Sequence, residues 1–208
     1  MLLKNSEKLK KDLTSAAKEK NLAKRGVRVA SVIAGALRSV NQDPVLVGGA
    51  AVEFYTEGGY ATRDIDMLAP GGPPLWKIME ELDFKRRGRD FINEIEKIYI
   101  EFPGEFLEKE KRSEMLDING VSLRIISRED LVVERLCAYK FWKSAIDGVA
   151  ALLLLEVGPL DNERLQKRAR EEDVLDALNW IRQIYEEGYR KKLSKKVLTQ
   201  KLKNWVRQ

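Results

Sequence analysis

Asp64 and Asp66 stand two apart in Thr62-Arg63-Asp64-Ile65-Asp66-Met67-Leu68. On an extended strand, side chains at i and i+2 point to the same face. Two carboxylates so placed repel unless protons or a cation neutralise them. A divalent cation such as Mg2+ takes one or two carboxylates and fills its shell with water and substrate phosphates. Ile65 and Met67 face the other way and anchor the strand. Upstream, Val45-Leu46-Val47 ends in Gly48-Gly49 and runs straight into a helical stretch. That arrangement offers backbone N–H groups at a helix N-terminus, with no side chains to keep an anion away. A third carboxylate, Glu101, sits in Ile98-Tyr99-Ile100-Glu101-Phe102, framed by apolar neighbours on a period-two segment.

The composition narrows the chemistry further. The 208 residues include no histidine and one cysteine, Cys137. Ser-His-Asp and Cys-His catalysis, His-ligated zinc and an imidazole base are therefore excluded, as is an intrachain disulfide. With 33 acidic residues available, an oxygen-ligated hard cation, Mg2+ or Mn2+, is the natural candidate. The single cysteine fits a reducing compartment. No apolar leader segment is visible, and the Val149–Leu155 run is far short of the roughly 20 residues a membrane span needs. The expectation is a soluble cytoplasmic protein.

These residues need a scaffold, and the periodicities supply one. Residues 6–24 read as a Lys-rich helix and Val27 to Val40 as a stronger one, stopped by Asn41-Gln42-Asp43-Pro44. Val45 to Val47 is a buried strand, Ala50 to Tyr55 a short helix and Asp64 to Leu68 a half-buried strand. Leu75 to Leu82 is helical. From Phe84 to Ile126 the pattern is β, with a strand over Lys97 to Phe102. A hairpin of Met115 to Ile118 and Val121 to Ile126 is joined by Asn119-Gly120, a type I′ pair. Ser127 with Asp130 opens a helix through Phe141. Helices follow over Ala145 to Leu155, Asp161 to Arg170, Val174 to Glu187 and Lys192 to Val206, with Gly188 as a C-cap. The order is α, then mixed α and β, then all α. It predicts an α+β fold: residues 1–26 as a basic helix, 27–130 as a small mixed-sheet core with flanking helices, and 131–208 as a C-terminal helical region with a basic tail.

Charge is unevenly placed. Residues 1–28 carry +6 and residues 190–208 carry +8, so a net charge of +5 leaves −9 for the body between them. An acidic body with basic ends suits a polyanionic partner reached through the ends, or Lys-rich helices that are merely solvated.

Val47-Gly48-Gly49, then Asp64-Ile65-Asp66, then Glu101 resemble the nucleotidyltransferase superfamily related to DNA polymerase beta. The resemblance covers roughly residues 27–135. It looks closest to small prokaryotic nucleotidyltransferase-like proteins, including abortive-infection toxins, which place a helical region after a start like Ser127-Arg128-Glu129-Asp130-Leu131. It implies Mg2+-dependent transfer of a nucleoside monophosphate from an NTP, ATP among them, to an acceptor hydroxyl. Asp64, Asp66 and Glu101 would be the metal-binding and catalytic carboxylates. Gly48 and Gly49 would receive phosphates, assisted by Arg63. Lys140, preferred over Arg135 and Lys143, would hold the γ-phosphate as a point charge. RNA or tRNA would be the acceptor, gripped by the basic ends. A second reading keeps the fold and makes the chain a non-catalytic or toxin–antitoxin regulatory protein acting through a protein partner. A third takes Asp-x-Asp as a glycosyltransferase metal motif. Trp76, Trp142, Trp180 and Trp205 could stack bases but are expected in cores or helix seams. Cys137 is expected in the core, with Val133 and Phe141 one turn away on either side.

Overall fold

The computed structural model describes residues 5–191 and 195–205. It divides into two units, Met1–Ser127 and Arg128–Gln208.

In the first unit, α1 (Ser6–Ala17) and α2 (Leu22–Arg38) stand where two helices are expected over 6–24 and Val27 to Val40, but the first ends early and the second begins at Leu22. The break is a capping event. Asn21 is extended, and its Oδ1 accepts from the Lys24 N–H at 3.1 Å, which starts a new helix. Leu13 and Ala16 of α1 are buried, and α2 buries Val29, Ala30, Ile33, Ala34 and Leu37 along one stripe. Several basic residues of this segment are spent on local packing. Lys10 pairs with Asp83 at 2.7 Å and Arg28 with Glu19 at 2.9 Å. Arg25 donates to the carbonyls of Ala17, Glu96 and Lys97.

Next come β1 (Val45–Val47), α3 (Gly48–Tyr55), β2 (Asp64–Leu68), α4 (Pro73–Glu81), β3 (Lys85–Arg87), β4 (Asp90–Asn93), β5 (Ile98–Glu101), β6 (Ser113–Ile118) and β7 (Val121–Ile126). The seven strands form one mixed sheet in the order β3-β4-β5-β2-β1-β7-β6. β1 runs antiparallel to β2 and parallel to β7, and β2 runs parallel to β5. One face carries Leu46, Ile65, Met67, Ile98, Ile100, Leu123 and Ile125, all buried. α2 lies on that face, where Gly35 lets Val121 approach within 3.5 Å of a would-be Cβ. Asn119 (φ 56°) and Gly120 (φ 80°) turn the β6–β7 hairpin with the two positive φ values of a type I′ turn. The sequence placed β structure after Phe84 without resolving β3 and β4. They form a hairpin closed by Gly88-Arg89, with Gly88 at φ 66°.

The second unit holds α5 (Arg128–Phe141), α6 (Ala145–Glu156), α7 (Asn162–Glu171), α8 (Leu175–Lys191) and α9 (Lys195–Trp205). Gly148 lets α6 close on Tyr139, whose ring atoms come within 2.6 Å of a would-be Cβ. Tyr139 donates its hydroxyl to the Leu202 carbonyl at 2.9 Å and stacks on Trp205, with centroids 4.8 Å apart. Gly188, expected as a cap, lies inside α8, where Leu198 approaches within 2.9 Å of where its Cβ would be. The outer residues of the expected Lys192–Val206 helix, 192–194 and 206, fall outside the described residues. Trp142 departs from the expected core role, being 82% exposed, and Phe141 is also exposed. Cys137 is half-buried rather than central to the core. Among the described residues no helix is long and apolar enough to cross a membrane.

Asp130, 1% exposed, organises this unit by pairing with both Arg164 and Arg168. Arg168 also reaches Glu171 at 2.6 Å and Glu172 at 2.9 Å. Breaking a buried pair from one side leaves an uncompensated charge. Asp130→Ala is therefore expected to lose on the order of 3–5 kcal/mol in urea denaturation. An unchanged midpoint would show that the network is dispensable.

Candidate functional site

Hydrophobic alternation fixes β2 with Ile65 and Met67 inward, so Asp64 and Asp66 share the opposite face. The strand pairing then supplies what local sequence does not. Glu101 is the register partner of Asp66, and Tyr99 that of Asp64. Paired residues present their side chains to the same face, so all three predicted carboxylates lie on one face of two adjacent strands. Asp90 on β4 is in turn the partner of Glu101. It extends the row and was missed from sequence. The alternation Asp90-Phe91-Ile92-Asn93, with Phe91 and Asn93 buried, was the available signal.

Gly48 and Gly49 stand at the junction of β1 and α3. Gly48 has φ 64°, and a Cβ there would lie 1.9 Å from Asp66 Oδ2. Gly49 would put its Cβ 2.8 Å from Thr62 Oγ1. The Gly49 N–H donates to Asp66 Oδ2 at 3.3 Å. The glycine pair is thus required by the close approach of the β2 segment, and one expected anion-binding amide is already directed at Asp66.

Glu101 is held by Arg89 at 3.3 Å. Among the described residues no group of three His, Cys, Asp or Glu side chains is disposed to hold a metal ion. The carboxylates share a face and a row without forming a closed cage, with Asp66 turned to Gly49 and Glu101 to Arg89. The donor set still fits Mg2+ or Mn2+, which needs only one or two carboxylates and keeps several waters. Asp64 is exposed and Asp66 half-buried, side by side beside the glycine cradle.

Arg63 is exposed next to Asp64, with no ion pair among the described residues. Lys140 lies in the other unit. Its ammonium contacts Asp176 at 3.0 Å and Asp173 at 3.4 Å and donates to the Asp173 carbonyl. Those hydrogen bonds hold it in its charged form despite some burial. Lys140 therefore bridges α5 to the start of α8.

A small cavity of about 40 Å³ lies behind Asp64, lined among others by Arg25, Glu53, Thr62 and Lys97. Glu53, 5% exposed, is held above the usual carboxylate range by burial, partly offset by the charge of Arg25. An acid with a raised folded-state pKa binds more protons folded than unfolded between the two values, so stability falls as pH rises through that window. Below the ordinary value of 4.5 the penalty is absent. Glu53→Gln is expected to raise Tm relative to wild type more at pH 7 than at pH 4. An equal difference at both pH values would refute a buried, costly carboxylate.

Residues 28–192 match a family model described as "Nucleotidyltransferase of unknown function (DUF6036)". No curated protein matches the chain. Among solved structures, the chain is similar to an antigenic nucleotidyltransferase-like protein from Paracoccidioides brasiliensis, at 16% identity and TM-score 0.49, covering 81% of this chain and 93% of that one.

Proposed function

The chain belongs to the nucleotidyltransferase family of unknown function DUF6036, and from that premise we propose a metal-dependent transfer of a nucleoside monophosphate from an NTP to an acceptor hydroxyl. The observation that carries this reading is the Asp64–Asp66 pair on one sheet face, beside the Gly48–Gly49 cradle and in register with Glu101.

Asp64 and Asp66 would hold Mg2+ or Mn2+, with Glu101 as the further ligand once it exchanges Arg89 for the cation. When bound, the cation neutralises phosphate charge and makes the acceptor hydroxyl more acidic. The protein contributes mainly position and charge. The acceptor oxygen forms a bond to the α-phosphorus while the bond to the pyrophosphate oxygen breaks. Glu101, or the cation, would assist loss of the hydroxyl proton. Gly48 and Gly49 admit the β- and γ-phosphates against the backbone, with Arg63 supplying positive charge at the rim. Arg89 reaches the same row of carboxylates, where it can return to Glu101 when the site is empty.

RNA, tRNA included, is the preferred acceptor class, because the body is acidic and the ends are basic. The N-terminal cations already engaged by Asp83, Glu19 and backbone carbonyls have less to offer it. The salt bridge on Glu101 favours a second reading on the same fold, a regulatory protein that binds nucleotide or a protein partner without turnover, as in a toxin–antitoxin pair.

The test is incubation with each labelled NTP, Mg2+ or Mn2+ and total RNA, with EDTA as control. Cation-dependent labelling and pyrophosphate release support transfer. Nucleotide binding without consumption supports the regulatory reading.

A further inference from the structure

Two cross-strand rows run over the same face of the sheet from β2 to the edge strand β3. The first is Asp66, Glu101, Asp90, Arg87, and the second is Asp64, Tyr99, Ile92, Lys85. Each begins at a carboxylate proposed to work on phosphate and ends at a cation. Three strand spacings of about 4.8 Å put those cations roughly 14 Å from the Asp pair.

Tyr99 stands between them and is 46% exposed. Ile92, half-buried, is its register partner on β4. With Asp64, Asp90 and Glu101 they line an open hollow of about 230 Å³. Among the described residues the Tyr99 hydroxyl makes no hydrogen bond. A β-face aromatic that is left uncovered, flanked by an aliphatic side chain and bordered by carboxylates, has the make-up of a stacking platform.

At the edge, Lys85 and Arg87 share one partner, Glu94, at 2.7 and 3.7 Å, and all three side chains are largely exposed. Exposed pairs of this kind are worth little, so a phosphate can displace Glu94 readily. Arg86 points to the other face and stacks over Trp76 at 3.9 Å, so it is not part of the row. Charges on an edge strand also discourage strand-to-strand aggregation, but that role would not need Tyr99.

We infer that this hollow is the acceptor subsite, taking a nucleobase on Tyr99 and Ile92 and the adjoining phosphate on Lys85 and Arg87, so that the acceptor is the end of a single-stranded RNA. This rests on the transferase reading, which places the donor triphosphate at Gly48–Gly49, on the β1 side of β2, and leaves the β5–β4 side for the acceptor. A free mononucleotide shares the chemistry of base and phosphate, and the experiment separates it from a strand.

The test is fluorescence anisotropy of labelled oligoadenylate with the full chain, without NTP or divalent cation. Tyr99→Ala is expected to weaken binding about tenfold, and Tyr99→Phe to leave it within about twofold, since stacking needs only the ring. Arg87→Glu is expected to weaken binding about tenfold and to lower the salt dependence by about one counterion. An abasic phosphodiester strand should bind Tyr99→Ala and wild type alike. AMP should compete far more weakly than the strand. Equal binding of oligoadenylate by Tyr99→Ala and wild type overturns the inference. So does competition by AMP as strong as the strand's own binding, or, in a parallel titration with Mg2+–ATP, a Tyr99→Ala defect confined to that ligand, which would make the platform the donor's. Strand binding that follows Tyr99 in a protein without transfer activity would sink the catalytic reading and leave this surface standing.

Discussion

Asp66→Asn is expected to reduce nucleotide transfer by about a thousandfold or more, while Tm stays within a few degrees of wild type. The magnitude follows from removing the charge of a carboxylate proposed to hold the cation where phosphate charge must be neutralised. The fold survives because Asn keeps the size of Asp and an oxygen able to accept from the Gly49 N–H, the contact that ties β2 to α3. Asp64→Asn should behave likewise in activity and disturb stability still less, since Asp64 is exposed at the first position of β2. Turnover of labelled nucleotide, read beside circular dichroism, checks both. Wild-type turnover by the two variants would remove the basis of the assignment.

Gly48→Ala is expected to fail in both stability and nucleotide binding. Two costs combine. Holding a non-glycine residue at φ 64° costs about 1–2 kcal/mol, and the new methyl would collide with the Asp66 carboxylate, 1.9 Å from its Oδ2. The expected loss is about 2–4 kcal/mol. Gly58→Ala is the control, because Gly58 has φ 87° with nothing within 4 Å of a would-be Cβ. It should show the backbone cost alone, about 1–2 kcal/mol, with nucleotide binding retained. Combining Gly48→Ala with Asp66→Gly should recover part of the stability and none of the activity, since the collision is removed along with the ligand. Matching losses for Gly48→Ala and Gly58→Ala in urea denaturation would show that Asp66 does not press on Gly48.

Arg89 stands against the same row of carboxylates. Its guanidinium takes Glu101 at 3.3 Å from a largely exposed position. An exposed pair is weak, so under the proposed function it would give way to a divalent cation.

The sequence by itself determined the parts whose signal is local. Alternation in Asp64-Ile65-Asp66-Met67 decides which side chains enter the core, because a strand's period is two, and this put both aspartates on one face before any pairing was known. The Val47-Gly48-Gly49 junction and the Asn119-Gly120 turn are legible for the same reason, since both depend on backbone angles that few residue types tolerate. The Asn21 cap is equally local, since its side chain accepts from a backbone N–H three residues on. Only the tertiary structure decided that Glu101 stands opposite Asp66, that Asp90 continues the row, and that Tyr99 and Ile92 lie between the aspartates and a cationic edge. It also decided that Lys140 spends its charge on Asp173 and Asp176. Strand order and register join segments tens of residues apart. They are set by which faces can be buried together, a collective property of the sheet that no single stretch of chain encodes.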